Sequence, residues 1–373
     1  MIESIEFSRH RLTLDPPFEA AWDRRPRHAF PVTVVRVRDD SGAVGVAAGD
    51  PMRGLEDYLD LFIGTDPADL DRHAAVLANL AFHDGRPWPL EVALWDLLGT
   101  LTDRPIWAML GGEGRAVRAY ASSGALRSPS ATVELALEAE AAGFGGLKLR
   151  FGRPSIEDDF AVVEAVASAR TEPFEVMVDC NQGWRMPWDT EPPWDVDHAA
   201  WVADRLAELG VYWIEEPLHR GDHAGMAELR SRSSVLIAGG EMTREIHEFD
   251  LMLAAGSLDV FQPDVVVTGG ITGLAGLARR VTAAGLTFTP HTWGSGVALL
   301  ANLHLTSGTV GAPFIEYPWD PPVWTADRRD FLLKEPIVPD DQGMLHLPHG
   351  PGLGCELDED RLAATKTDSS SYD

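Results

Sequence analysis

The chain has 373 residues, of which 45% are hydrophobic and 24% charged, and its net charge is −27. Ordinary apolar content excludes bulk disorder, and no apolar run approaches the roughly 20 residues of a membrane helix. The negative charge argues against nucleic acid or an anionic membrane as partner, because the field of the whole molecule repels phosphates.

The opening residues MIESIEFSRHRL mix acid and arginine and do not read as a signal peptide. Two cysteines, Cys180 and Cys355, cannot build a disulfide framework, so a reducing, cytoplasmic location is expected. Lysine occurs at three positions, Lys148, Lys334 and Lys366, which makes Lys148 conspicuous inside an apolar segment.

The first 116 residues read as a small mixed α+β domain. Strands are expected over 2–14, 32–38 and 44–48, where Val32, Val34, Val35 and Val37 supply β-branching. The connector 15–31 is long and rich in Pro, Trp and Arg, as lids often are. Helices are expected over 54–82 and 89–100. From residue 117 the rhythm changes. Short apolar runs at 118–124, 146–150, 175–181, 211–217, 236–241, 257–264, 286–291 and 314–317 alternate with helical stretches such as 130–142, 195–209, 244–254, 270–284 and 295–306. Strand–helix alternation calls for parallel strands, and eight runs fit a (β/α) barrel over 117–330 better than an open doubly wound sheet. Pro318 and its successors disfavour a regular last helix. A Pro-rich tail, 331–362, is expected to pack back on the N-terminal domain, and 369–373 to fray.

Barrel chemistry sits at the C-terminal ends of the strands. These ends carry Lys148 and Arg150, Asp179 and Asn181, Glu215, Glu241, Asp264, His291 and Glu316. Alternation along a strand turns Asp179 and Asn181 inward and Cys180 outward, so Cys180 reads as a packing residue rather than a nucleophile. Asp179, Glu215 and Glu241 lie on consecutive strands and repel one another unless a cation sits among them. An all-oxygen set suits Mg2+, and Mn2+ fits the same donors. The alternative is pairing with Arg185 and Arg244. His291 and Asp264 lie on neighbouring strands, and a carboxylate beside an imidazole makes a competent base near neutral pH. The alternative for His291 is capping the next helix. Glu316 is expected to face Lys148 across the mouth, and a carboxyl group kept protonated there would donate to a developing oxyanion.

The segments WPLEVALWDLLGTLTDRPIWAMLGG (88–112), DCNQGW (179–184), WIEEP (213–217), GGEM (239–242), FQPDVVVTGGIT (261–272) and PHTWG (290–294) resemble the enolase superfamily, within it the mandelate racemase subgroup. The resemblance spans nearly the whole chain. It implies a modified TIM barrel of seven to eight strands with an N-terminal α+β capping domain (1–116) that the C-terminal segment (331–373) completes. It implies abstraction of the proton alpha to a carboxylate, giving a metal-stabilised enediolate, with Asp179, Glu215 and Glu241 as metal ligands. The same resemblance makes His291, supported by Asp264, the base and Glu316 a stabiliser of the enediolate. Lys148 matches the first lysine of the family's Lys-x-Lys motif and is implied to contact the substrate carboxylate. The connector 15–31 and the stretch at Asp50-Pro51-Met52 match loops that close over substrate.

The second lysine of that motif is replaced here by Arg150, which keeps its proton and cannot serve as the opposite-face base. One-base dehydration of a sugar acid to a 2-keto-3-deoxy acid is therefore expected, with Arg150 as a clamp. Racemisation or epimerisation and sugar-lactone cycloisomerisation are alternatives on the same scaffold. A metal- and sugar-acid-binding protein without catalysis is a remote one. Some dehydratases of the family carry a histidine at the position of Asn181. Its absence leaves the acid for the leaving group open; return of the proton by His291 implies syn loss. Substrate stereochemistry is expected to be read by the connector 15–31 and by Trp184, Trp188 and Trp293. The Trp- and Pro-rich stretch 184–194 reads equally as a loop over the mouth or as packing. A small anionic carboxylate is the expected partner, and the chain is expected to assemble with copies of itself.

Overall fold

The computed structural model describes every residue except Pro51, Arg53, Glu172 and Asp373, and every side chain of the described residues except that of Asp84. Three strands, β1 (Ile2–Phe18), β2 (Arg27–Asp39) and β3 (Val44–Gly49), open the chain. They form an antiparallel sheet whose β1–β2 ladder runs from Ile2 opposite Asp39 to Phe18 opposite Arg27. The expected connector 15–31 is therefore mostly strand, and only the residues between Phe18 and Arg27 form a loop. Residues 54–82 do not make one helix. A 3-10 turn at Glu56–Leu61 is followed by α1 (Leu70–Asp84), because Gly64 takes φ +74° and Asp66-Pro67 interrupts the helical hydrogen bonding.

α2 (Trp88–Thr102) is apolar almost all round because it lies between the antiparallel sheet and the barrel. Two buried acids on it join the parts. Glu91 accepts hydrogen bonds from the Ile271 and Thr272 backbone N–H groups at 2.8 and 2.9 Å and from Trp95 Nε1 at 2.8 Å. It thereby caps a barrel helix from outside its own sequence. Gly270, at φ +60°, is obligatory there, since a Cβ would lie 2.4 Å from Glu91 Oε2. Asp96 accepts from Val46 N at 2.7 Å and Leu353 N at 2.6 Å, tying β3 to the C-terminal tail. A short α3 (Ile106–Met109) follows.

The remaining chain alternates. Its parallel strands are β4 (Val117–Ser122), β5 (Gly146–Arg150), β6 (Glu175–Asp179), β7 (Trp213–Glu215), β8 (Leu236–Gly239), β9 (Val260–Phe261), β10 (Thr287–Phe288) and β11 (Ile315–Pro318). Between them run α4 (Pro129–Ala141), α5 (Ile156–Ala169), α6 (Val196–Glu208), α7 (His223–Arg232), α8 (Ile246–Ala255), α9 (Gly270–Ala283) and α10 (Gly296–Thr309). Ser128, Ser155, Asp195, Asp222 and Ser295 start five of these helices by accepting from the first turn. Neighbouring strands pair in the order β10-β9-β8-β7-β6-β5-β4-β11, all parallel. Among the described residues no ladder joins β10 to β11, so the barrel has one open seam.

Alternation sorts the side chains. Tyr120, Met177, Trp213, Ala238, Val260 and Phe314 fill the barrel interior, while Leu147, Val176, Val178, Ile214 and Ile237 pack outward with the helices. After β11 a four-residue α11 (Ala326–Arg329) replaces a regular last helix. The tail divides between the two parts of the molecule. β12 (Met344–Leu345) pairs with β4 of the barrel, whereas α12 (Glu359–Thr365) lies against β1. Of the last segment, Lys366–Tyr372 is not frayed, and Asp373 lies outside the described residues. β13 (Lys366–Tyr372) adds to the free edge of β1, pairing Ser369 with Ser8 and Tyr372 with Ile5, because an edge strand has unpaired backbone groups to offer. Among the described residues no helix is long and apolar enough to cross a membrane.

Candidate active site

The strand register brings the acidic ends together. Asp179 is the last residue of β6 and pairs with Glu215, the last of β7. Glu241 follows β8 by two residues. One oxygen from each of the three lies within 4.8 Å of the other two, and all three side chains are buried. Burial and three neighbouring carboxylates push Glu215 up to about 7, against the pull of Lys148. Arg185 and Arg244 do not serve this cluster. Arg185 pairs with Asp189 at 3.2 Å and Gln182 at 2.8 Å, and Arg244 donates to the Gly85 carbonyl at 2.9 Å.

The compensating cations come from β5. Lys148, fully buried, donates to Glu215 Oε1 at 2.7 Å and lies 2.8 Å from Glu316 Oε1. Arg150 pairs with Asp179, donates to the Ser123 carbonyl at 2.9 Å, and lies under the rings of Trp22 and Trp293 at 5.1 and 5.5 Å. Gln262 Nε2 donates to Glu215 Oε2 at 2.8 Å and Trp184 Nε1 to Glu241 Oε1 at 2.7 Å. After these contacts Glu241 Oε2 is buried with no hydrogen-bond partner. An all-oxygen cluster with a spare buried acceptor fits a hard divalent cation.

Opposite lies an imidazole. His291 Nδ1 is 3.0 Å from Asp264 Oδ2, and its Nε2 is 3.5 Å from Glu241 Oε2. Asn302, on α10, donates from Nδ2 to Asp264 Oδ1 at 3.1 Å and to the His291 carbonyl at 3.0 Å, and so fixes the pair. Burial disfavours the imidazolium, yet Glu241, Glu316 and Asp264 outweigh it and carry His291 up to about 9.

Glu316 differs from expectation. It touches Lys148 directly and accepts from Ser122 Oγ at 2.6 Å and from Thr292 N at 2.9 Å, donors that favour its carboxylate over the protonated form. Burial works against its charge, but Lys148, His291 and Arg150 hold it at about 2.

A cavity of about 260 Å³ opens over this cluster, lined at its base by Arg150, Glu241, Asp264 and His291. Trp184 and Trp293 also line it; Asn181 and Trp188 are not among its lining residues. Asn181 takes φ +53°, which breaks strand alternation, and its amide donates to the Phe151 carbonyl at 3.0 Å. Lys148, Asp179, Glu215 and Glu316 lie behind the lining layer, joined to it through Arg150 and Glu241. From the connector, Trp22, Arg27, Phe30 and Pro31 reach the cavity, and Asp50 does so from the next loop; Pro51 falls outside the described residues. Cys180 is buried and its thiol pushed up by burial, as a packing residue should be. Gln262, Asn302 and Trp324 have no role in the sequence-based expectations, and Trp22 has one only as part of the connector 15–31. A lone Asn in the apolar run LLANLHL was a readable sign for Asn302.

Residues 131–361 match the family model described as enolase C-terminal domain-like. The chain is 31% identical over 376 residues to a D-galactarolactone cycloisomerase of Agrobacterium fabrum, covering 95% of each. It is 31% identical over 272 residues to an arabinonate dehydratase of Saccharolobus solfataricus, covering 72% of this chain and 68% of that one. Among solved structures, a racemase from Streptomyces coelicolor with bound magnesium superposes with a TM-score of 0.84 at 25% identity, over 98% of this chain and 100% of that one. With the barrel, the convergent acids and these relatives together, the chain belongs to the enolase superfamily.

Proposed function

We propose that the protein is a magnesium-dependent acid-sugar dehydratase in which His291 removes the proton alpha to the substrate carboxylate. The observation that carries this reading is the asymmetry of the cavity base. His291 is a buried imidazole oriented by Asp264 at 3.0 Å, while the β5 side offers only Arg150, which stays protonated, and a Lys148 held by two carboxylates. One base on one face favours elimination over two-base racemisation.

Asp179, Glu215 and Glu241 would hold the ion, with Glu241 Oε2 supplying the uncommitted acceptor. When bound, Mg2+ neutralises charge that develops on the substrate carboxylate. The protein's own groups do the rest. Asp264 accepts the Nδ1 proton of His291, so Nε2 is the atom that receives the alpha proton once the ring is neutral; the charge of Glu241 favours the protonated ring up to about 9, and a cation held by Glu241 would offset that charge and lower it. Arg150, fixed by Asp179, Ser123 and two indole rings, clamps the anion from the other side. The C2–H bond breaks, its electron pair forms the C2–C3 double bond, and the C3–O bond breaks. The leaving hydroxide takes a proton to become water, and the enol tautomerises to the 2-keto-3-deoxy acid. His291 Nε2, which has just gained a proton, is the donor the cavity offers, and this gives syn loss.

A second reading is favoured by the cycloisomerase relative matched over 95% of both chains: opening of a sugar lactone, with the ring oxygen rather than hydroxide leaving. Incubation of aldonic acids, aldaric acids and their lactones with enzyme and magnesium in deuterated water tests both readings. A 2-keto-3-deoxy product is expected. Inversion at C2 without a keto product would overturn dehydration.

A further inference from the structure

The imidazole and its carboxylate stand where the barrel has least strand to hold them. β9 and β10 pair over two residues only, Val260 with Thr287 and Phe261 with Phe288. Among the described residues β10 has no strand on its other side, which is the open seam. Asp264 and His291 each lie beyond those short ladders, where His291 N still donates to the Pro263 carbonyl at 3.0 Å.

Asn302 reaches this place from α10, outside the sheet. Its side-chain oxygen accepts from Val265 N at 3.1 Å. Its amide donates to Asp264 Oδ1 at 3.1 Å, to the His291 carbonyl at 3.0 Å and to Thr292 Oγ1 at 3.1 Å. The direction of the amide is fixed, because Val265 N can only donate. Asp264 Oδ1 accepts from Val266 N as well, at 3.1 Å, while Oδ2 faces His291 Nδ1 at 3.0 Å. Two donors on one oxygen stop the carboxylate from rotating, and the plane of the imidazole follows it.

A buried amide in the apolar run of α10 costs helix propensity and desolvation. Its side-chain partners lie in 264–265 and 291–292, not in the neighbouring helices. Asn302 is not among the residues that line the cavity, so it acts through the pair and not on substrate. Resting on the reading of His291 as the base, we infer that Asn302 is a positioning residue for proton abstraction. It stands in for the strand contact missing at the seam and keeps Nε2 of His291 aimed at the alpha proton. A shift of about 1 Å in such a group costs about a hundredfold.

The test compares wild type with Asn302→Ala and Asn302→Ser, both of which leave room for a water to meet Val265 N and so spare the helix. His304→Asn, on the same helix but bonded to Trp107 N and the Leu353 carbonyl, is the scaffold control. In the Asn302 variants kcat should fall about thirty- to a hundredfold, with KM and magnesium affinity by calorimetry each within about threefold. The control should lose denaturant stability and keep kcat within about threefold. Proton NMR with nitrogen-labelled histidine reads the pair without turnover. The His291 Nδ1 proton, drawn downfield by Asp264, should move upfield or exchange away in both Asn302 variants and persist in the control. An unchanged kcat, a loss lying in KM or in magnesium affinity, or an unmoved resonance would overturn the inference. If no acid is turned over but the resonance is lost in the Asn302 variants alone, the dehydratase reading fails and the positioning role stands.

Discussion

The two sides of the cavity base carry basic groups of different availability. On β5, Lys148 is bound to Glu215 and Glu316 at 2.7 and 2.8 Å, and Arg150 to Asp179. On the β9–β10 side, His291 spends one nitrogen on Asp264 and leaves the other at 3.5 Å from Glu241, too long for a strong hydrogen bond. Both sides are buried and both are ringed by acids, so burial does not distinguish them. Commitment does: the β5 cations are structural partners of carboxylates, whereas the imidazole retains an atom facing the cavity.

Removing the ion should have the largest effect. Chelation is expected to abolish turnover reversibly, and Glu241→Gln to weaken magnesium binding by at least about tenfold in calorimetry while circular dichroism stays native. Undiminished magnesium affinity in that variant would mean that the acids are held by Lys148 and Arg150 alone. Next, Arg150→Lys places a titratable amine on the committed side. Loss of the fork to Asp179 and of the two ring contacts should cost about ten- to a hundredfold in kcat/KM. The new amine should also wash solvent deuterium into the opposite face of C2. Unchanged kcat/KM would contradict the clamp.

How far these contrasts were legible in the sequence depends on the kind of geometry involved. A parallel barrel turns chain order into spatial order, so Asp179, Glu215 and Glu241 on successive strands had to meet, and Asp264 had to neighbour His291. Strand alternation likewise set Lys148 and Arg150 inward. Local backbone departures were not legible. Asn181 leaves the alternation at φ +53°, which no pattern of apolar residues announces. The charge of Glu316 depends on Lys148 touching it rather than facing it across an opening. β13 looked like a polar tail because an edge strand at the surface needs backbone partners, not apolar side chains. The same holds for the connector, most of which extends β1 and β2.

A scaffold effect should be smaller and separable. His304, two residues beyond Asn302 on α10, accepts from Trp107 N at 3.2 Å and donates to the Leu353 carbonyl at 3.1 Å. Burial holds it neutral and lowers it to about 4. The unfolded chain takes up this proton near its ordinary value of about 6.5. The contribution is therefore present above about pH 6.5 and lost as pH falls towards 4, by up to about 3 kcal/mol. The difference in denaturant stability between wild type and His304→Asn should narrow over that interval; a constant difference would contradict it. The smallest effect concerns the field of the whole molecule. At −27 the protein repels an anionic substrate until salt screens charges beyond about 8–10 Å. Modest salt should thus raise kcat/KM by less than about threefold, and a fall would show that attraction to Arg150 and the ion dominates at long range as well.

The proposed reaction requires a single base on one face of the substrate. Alpha-proton exchange in deuterated water, followed by NMR for wild type and His291→Asn with magnesium and an acid-sugar substrate, tests that most directly. Exchange on one face in the wild type, reduced by about a thousandfold or more in the variant with magnesium affinity retained, is the predicted result. Exchange that persists in the variant would place the base elsewhere and contradict the assignment.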